Sequence, residues 1–334
     1  MDKKTLQIHP SPHISSGASV DVIMRNVVYA LMPTVVFSIY AFGLAALLTL
    51  LVGILSCIFT EHLLCKWSRQ ATTVNDWSVV ITGIIYGLTL PPGLPLWMTL
   101  AGGVIAVSLG KFIFGGLGYN PFNPALVGRA FLQAAFPTAM TSWTAAFSAE
   151  RFTSLPTSTL ALPLTSPIYD SLSSATPLAD MKFNQHPTDT MDLLLGLTSG
   201  SLGETCSALI LAGGLYLIAR NMMNWRIPAG IFIAVIVLSA LFHFVDPDRY
   251  PNTVFMLFSG GLMLGAMFMA TDMVASPITN LGCFIYGAFI GTLVVIIRLW
   301  GGMPEGVMYA ILFANAISPH IDRYIQPTPF GHRS

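Results

Sequence analysis

Charge is what this chain lacks most. Only 9% of its residues are Asp, Glu, Lys or Arg, while 54% are hydrophobic and the mean hydropathy is +0.70. A soluble domain carries about 25% charged residues, so this composition cannot wet a water-facing surface and the chain reads as an integral membrane protein. The 15 basic and 15 acidic residues cancel, which gives neither a nucleic-acid footprint nor a net field to steer acidic substrates. Cysteine is scarce too. Cys57, Cys65, Cys206 and Cys283 have no C-x-x-C spacing and fall in or beside apolar runs, which argues against an iron–sulfur or zinc site and for small buried hydrophobes. His243 with Asp246, and His62 with Cys65, find no third ligand at metal spacing, and no matched axial pair for a haem is present. A glycine fingerprint for nucleotides is also missing, so any electrons handled here come from another protein. The N-terminus lacks the apolar core and cleavage pattern of a signal peptide.

Long apolar runs are what is there. Residues 27 to 64 hold enough for two spans, at about 20 residues each, with Pro33 and Gly43 placed for a kink and a turn. Further spans are expected at 78–90, 96–114 and 124–138, then at 204–220, 227–244, 253–270, 280–299 and 302–317. The predicted fold is an all-α polytopic membrane protein of about ten transmembrane helices. Residues 78–92, S-V-V-I-T-G-I-I-Y-G-L-T-L-P-P, resemble residues 256–272, M-L-F-S-G-G-L-M-L-G-A-M-F-M-A-T-D. Helices interrupted by Gly and Pro at matching places in two halves point to an internal repeat, and five helices per half make the repeats inverted. The expected organisation is a cytoplasmic arm 1–24, a first repeat 25–138, a polar loop 139–190, a second repeat 191–318 and a tail 319–334. With both ends cytoplasmic, Lys3, Lys4, Arg25, Lys66, Arg69, Lys111, Arg220, Arg226, Arg323 and Arg333 fall inside. Arg151, Lys182, Arg249 and Arg298 fall outside, and Arg129 lies within a span. The excess on the inner side satisfies the positive-inside rule and puts the loop 139–190 on the outer face.

That loop contains D-S-L-S-S-A-T, from Asp170 to Thr176. Ser and Thr between apolar spans ordinarily make a solvated connection with side-chain-to-backbone turns. This string, however, is similar to the D-x-x-[ST]-[GS]-A-T sequence on which flavin transferases esterify FMN. With the run G-x-N-P-F-N-P-A-x-x-G-R between Gly118 and Arg129, and a match across nearly the whole chain, it resembles the NqrB/RnfD family. The short N-terminal arm favours the RnfD/RsxD branch, the flavin-bearing membrane subunits of the Rnf/Rsx electron-transport complex, over the NqrB subunits of sodium-pumping NADH:quinone reductase.

The resemblance implies FMN joined through its phosphate to the hydroxyl of Thr176, with Asp170, Ser173, Ser174 and Ala175 as the transferase's recognition residues. It implies one subunit of a redox-driven, ion-translocating oxidoreductase of the ferredoxin:NAD type in the bacterial inner membrane, not catalytic alone. Expected partners are the other Rnf/Rsx subunits, especially the flavin-bearing RnfG/RsxG, the flavin transferase during maturation, and the lipid bilayer. Gly115, Asn120, Asn123 and Arg129 are candidate contacts to a second, noncovalent flavin or a quinone; a purely structural re-entrant turn is the competing reading of the same residues. Asp272, beside the second helix break, is a candidate ion-path residue or a helix cap. Glu61 and Glu204 flank spans and read as membrane-interface residues, with roles related to that of Asp272 in the two halves as the alternative. A solute channel or a cofactor-free scaffold would share the hydropathy but would not need the Thr176 sequence.

Overall fold

The computed structural model describes residues 19–69, 73–163, 176–186, 188–204, 206–247 and 249–327, and among them the regular structure is helical without strands. An apolar medium offers backbone groups no partners, so each apolar run closes its hydrogen bonds within itself. In order the helices are α1 (Val20–Phe42), α2 (Leu44–Trp67), α3 (Ser78–Leu88), α4 (Leu96–Gly110), α5 (Pro124–Ala135), α6 (Pro137–Met140), α7 (Pro177–Asn184), α8 (Thr190–Leu195), α9 (Ser207–Ala219), α10 (Arg226–Val245), α11 (Thr253–Phe258), α12 (Leu262–Leu264), α13 (Asn280–Trp300) and α14 (Val307–Tyr324). A π-helical turn, Gly265–Met269, extends α12.

The expected turn at Gly43 is present. Its φ is 68°, and the amide of the next residue, Leu44, donates to the Arg151 carbonyl at 2.9 Å. A methyl group at Gly43 would stand 1.9 Å from that oxygen, so both backbone and space require glycine here. Pro33 lies inside α1.

The apolar runs give two kinds of helix. Five segments, Val20–Phe42, Leu44–Trp67, Leu96–Phe114, Arg226–Val245 and Asn280–Trp300, are long and apolar enough to cross a bilayer. The others are shorter or broken. α3 has 11 residues and is buried along most of its length, so its exposed end groups need protein partners. They find them in residues 202–203: the Gly203 amide donates to Leu88 O at 2.6 Å, the Leu202 amide to Leu90 O at 3.1 Å, and the Ser38 hydroxyl to Leu202 O. Irregular backbone is tolerated where protein encloses it.

Packing draws α2, α3, α4 and α5 into one group and α10 and α13 into another, while α1 lies against α9. One buried apolar core runs through both groups, with Tyr86 and Tyr286 fully enclosed. All four cysteines are free and buried, as small hydrophobes should be.

Candidate functional site

Thr176 caps α7. Its backbone is extended (φ −72°, ψ 152°), its Oγ1 accepts from the Ala179 amide at 3.2 Å, and Pro177 occupies the first helical position, where a missing N–H costs nothing. The side chain is 7% exposed. Leu178 packs with Leu193 of α8 and Phe255 of α11 in a small apolar cluster. Lys182 reaches across to the α13–α14 turn, donating from Nζ to Gly301 O at 2.6 Å and Met303 O at 3.0 Å; desolvation there lowers its pKa. Asp170, Ser173, Ser174 and Ala175 lie outside the described residues.

A second locus forms where the Asn-Pro run meets the break after the π-helical turn. Gly115, Gly116 and Gly118 all have positive φ, which lets the chain reverse between α4 and α5. Asn123 caps α5, accepting from the Ala125 amide at 3.0 Å, and donates from Nδ2 to Met269 O at 3.1 Å. Asn120 donates to Phe122 O at 3.1 Å and to Asp272 Oδ2 at 3.4 Å. Asp272 also accepts from the Val274 amide at 3.1 Å. Asp272 thus closes a local turn with one oxygen and meets Asn120 of the first half of the molecule with the other. These residues rim a cleft with about 850 Å³ of empty space counted out to its open mouth, walled by Ile81, Ile85, Met222, Met223 and Phe268, with Lys111 at its edge. Gly115 lines an adjoining cleft rather than this one. Arg129, further along α5, faces a different small cavity with Glu305. Of the four candidate contacts, the fold brings Asn120 and Asn123 together in this cleft.

Glu61 and Glu204 are both enclosed by protein. Glu61 is 2% exposed and takes Lys111 Nζ at 2.9 and 2.8 Å through its two oxygens. Lys111 also donates to Ser78 Oγ at 2.7 Å, and Thr73 donates its hydroxyl to Glu61. Removing one partner of such a buried pair leaves an uncompensated charge, at a cost of about 3–5 kcal/mol. Lys111 is thus occupied inside the protein and does not contribute a free cation at the membrane surface. Glu204 is buried as well, and lies against Glu305.

Arg298 read in the sequence only as an outer cation, and Glu305 carried no signal there. Arg298 sits in α13 at 4% exposure, donating to Met256 O at 2.6 Å and Ser259 O at 2.8 Å. It supplies donors to carbonyls at the end of α11, and Glu305 accepts the Gly261 amide at 2.7 Å just before α12. Each charge complements the helix-end dipole it meets. The signal that could have found Arg298 was a cation at the end of an apolar run; no local pattern marks Glu305. Among the described residues no group of three or more His, Cys, Asp and Glu side chains could hold a metal ion.

A helical membrane chain with a capped threonine outside the core, an asparagine-rimmed cleft and a charged helix break fits a known class. The NQR2, RnfD, RnfE family matches residues 7–331, and the chain belongs to that family. It is 39% identical over 335 residues to the D component of the Na(+)-translocating ferredoxin:NAD(+) oxidoreductase complex of Acetobacterium woodii, covering 99% of this chain and 97% of that protein. It is 37% identical over 341 residues to the D component of the proton-translocating ferredoxin:NAD(+) oxidoreductase complex of Clostridium ljungdahlii, covering 99% and 98%. It is also 37% identical over 337 residues to the D component of the ion-translocating oxidoreductase complex of Alcanivorax borkumensis, covering 97% and 96%.

Proposed function

We propose that this chain is the D-type membrane subunit of an ion-translocating ferredoxin:NAD oxidoreductase complex, relaying electrons through FMN attached to Thr176. The observation that carries it is end-to-end similarity to proteins that share one role by name. The reading includes ten crossings in two inverted repeats, both termini cytoplasmic, Thr176 on the outer face of the inner membrane, RnfG/RsxG as the neighbouring electron carrier, and a transferase that attaches the flavin.

The residues present suit the group. Thr176 offers the hydroxyl that a phosphoester needs, and it stands at a helix N-terminus, where N–H groups and the helix dipole favour a phosphate. The flavin supplies the redox chemistry; the chain supplies position and electrostatics. α7 fixes the acceptor by burying Leu178 and by tying Lys182 to the α13–α14 turn. The cleft at Asn120 and Asn123 is assigned to a second, noncovalent flavin on its lining, since such a ring is apolar on its faces and polar at its edges and the cleft pairs apolar walls with two asparagines. Asp272, on the cleft's rim, is assigned to the ion path.

Peptide mass spectrometry tests the central assignment. Thr176→Val keeps the branched shape and removes the nucleophile, so the FMN-phosphoryl adduct and most electron transfer should vanish from an assembled subunit. An adduct mapped to Ser173 or Ser174, or normal occupancy in Thr176→Val, would overturn it.

A further inference from the structure

A buried acid pair lies beneath α7, away from the cleft at Asn120 and Asn123. Glu204, in the connection before α9, lies against Glu305, in the turn between α13 and α14. Both face the break between α11 and α12: a methyl group at Gly261 would stand 3.4 Å from Glu305 Oε1 and 3.8 Å from Glu204 Oε1. The two carboxyls differ in their partners. Glu305 Oε1 accepts the Gly261 amide at 2.7 Å and has an Arg298 nitrogen 3.6 Å away. Glu204 is 9% exposed, its Oε1 has no hydrogen-bond partner, and it enters neither of the described ion pairs. Arg129 from α5 faces both carboxyls and Tyr309 of α14, Arg298 comes from α13, and Ser201 is the polar neighbour on the segment of Glu204. Ser201 gives Glu204 a single hydrogen bond, which leaves Oε1 unpartnered and most of the desolvation cost standing, and two adjoining carboxylates resist ionising together. One shared proton removes both penalties: Glu204 donates and Glu305 accepts.

We propose that Glu204 and Glu305 form a proton-binding site, a carboxyl–carboxylate pair holding one exchangeable proton at the break between α11 and α12. The flanking charges select the ligand. Two guanidinium groups beside the pair repel a metal cation, and Arg298 and the Gly261 amide already occupy Glu305. A proton needs only one donor and one acceptor. The adjoining cavity, about 10 Å³ and lined by Arg129, Ser201, Gly261 and Glu305, is at the lower limit for a single water molecule. The site lies close under the Thr176 helix, since Leu178 and Glu305 both close on Gly260. The inference does not depend on flavin attachment.

Infrared difference spectroscopy of the intact complex, in H2O and D2O across pH, tests it. The wild type should show at neutral pH the carbonyl band of a protonated carboxylic acid, shifted by deuterium and lost at alkaline pH. Glu204→Gln, an isosteric copy of the protonated state, should lose that one band while keeping the assembled complex and its cofactor content. If Glu204→Gln does not assemble, Glu204→Asp serves, and its band must move in frequency or in titration midpoint. No difference between wild type and variant at any pH overturns the proposal. So does radioactive sodium bound stoichiometrically by the wild type and released in Glu204→Gln without loss of a band.

Discussion

Thr176 and Asp272 each perform a local structural task that can hide a chemical one. Thr176 is a helix cap, and losing such a cap costs about 1 kcal/mol; that cost alone leaves a subunit of this size assembled. Thr176→Ser keeps the cap, so a variant that caps normally but carries less flavin separates the two tasks. Asp272 closes a turn through one oxygen and meets Asn120 through the other. Asn caps almost as well as Asp, so Asp272→Asn preserves the turn and removes the charge. Transport of the coupling ion into sealed vesicles should fall, while cofactor content and assembly stay at wild-type levels. Unchanged transport would leave Asp272 as a turn residue and nothing more.

Among the elements, α10 and α13 show what replaces the hydrophobic effect inside a bilayer. Lipid is as apolar as leucine, so helices associate through close packing of small residues. Gly230 of α10 faces Phe284 O, and Gly287 and Gly291 of α13 face the carbonyls of Ile227 and Ile231. A methyl group at Gly287 would stand 2.3 Å from the Ile227 oxygen, so Gly287→Ala must push the two backbones apart. Overpacking of this kind costs about 1–3 kcal/mol. The variant should lower the midpoint of thermal unfolding in detergent, whereas Gly302→Ala, which has nothing within 4 Å, should leave it unchanged. Equal midpoints would show that α10 and α13 are held by something other than this contact.

At the scale of the whole molecule, orientation rests on charge. Two of the cations used to assign it are engaged inside the protein: Lys111 with Glu61, and Arg298 with helix-end carbonyls. One came from each side of the count, so nine inner cations still face three outer ones, from the ten and four assigned by sequence. The loop holding Thr176 should therefore be periplasmic. A cysteine placed by Ser171→Cys should react with a membrane-impermeant thiol reagent in cells whose outer membrane alone is permeabilised. Labelling only after the inner membrane is lysed would reverse the topology. The two relatives named for different ions, sodium and protons, are 39% and 37% identical to this chain. Overall similarity does not choose the ion, which makes the chemistry of individual buried groups decisive.

Hydropathy by itself determined that this is a helical membrane protein and where its five long helices lie, because a 20-residue apolar run has few other ways to satisfy its backbone; the break of the run expected at 253–270 into α11, α12 and a π-helical turn, and the short helices α7 and α8, were decided by packing. The turn at Gly43, the burial of the cysteines and the family of the chain were legible for the same reason: each depends on a contiguous stretch of residues. The pairs were not legible. Glu61 and Lys111 are 50 positions apart, and Asn120 and Asp272 are 152 apart. Glu204 and Glu305 come from different connections. A carboxylate beside an apolar run looks the same in sequence whether it meets headgroups, a lysine or a second carboxylate. Only the packing of one helix break against another decided which, since a charge far from water takes its state from the group that faces it.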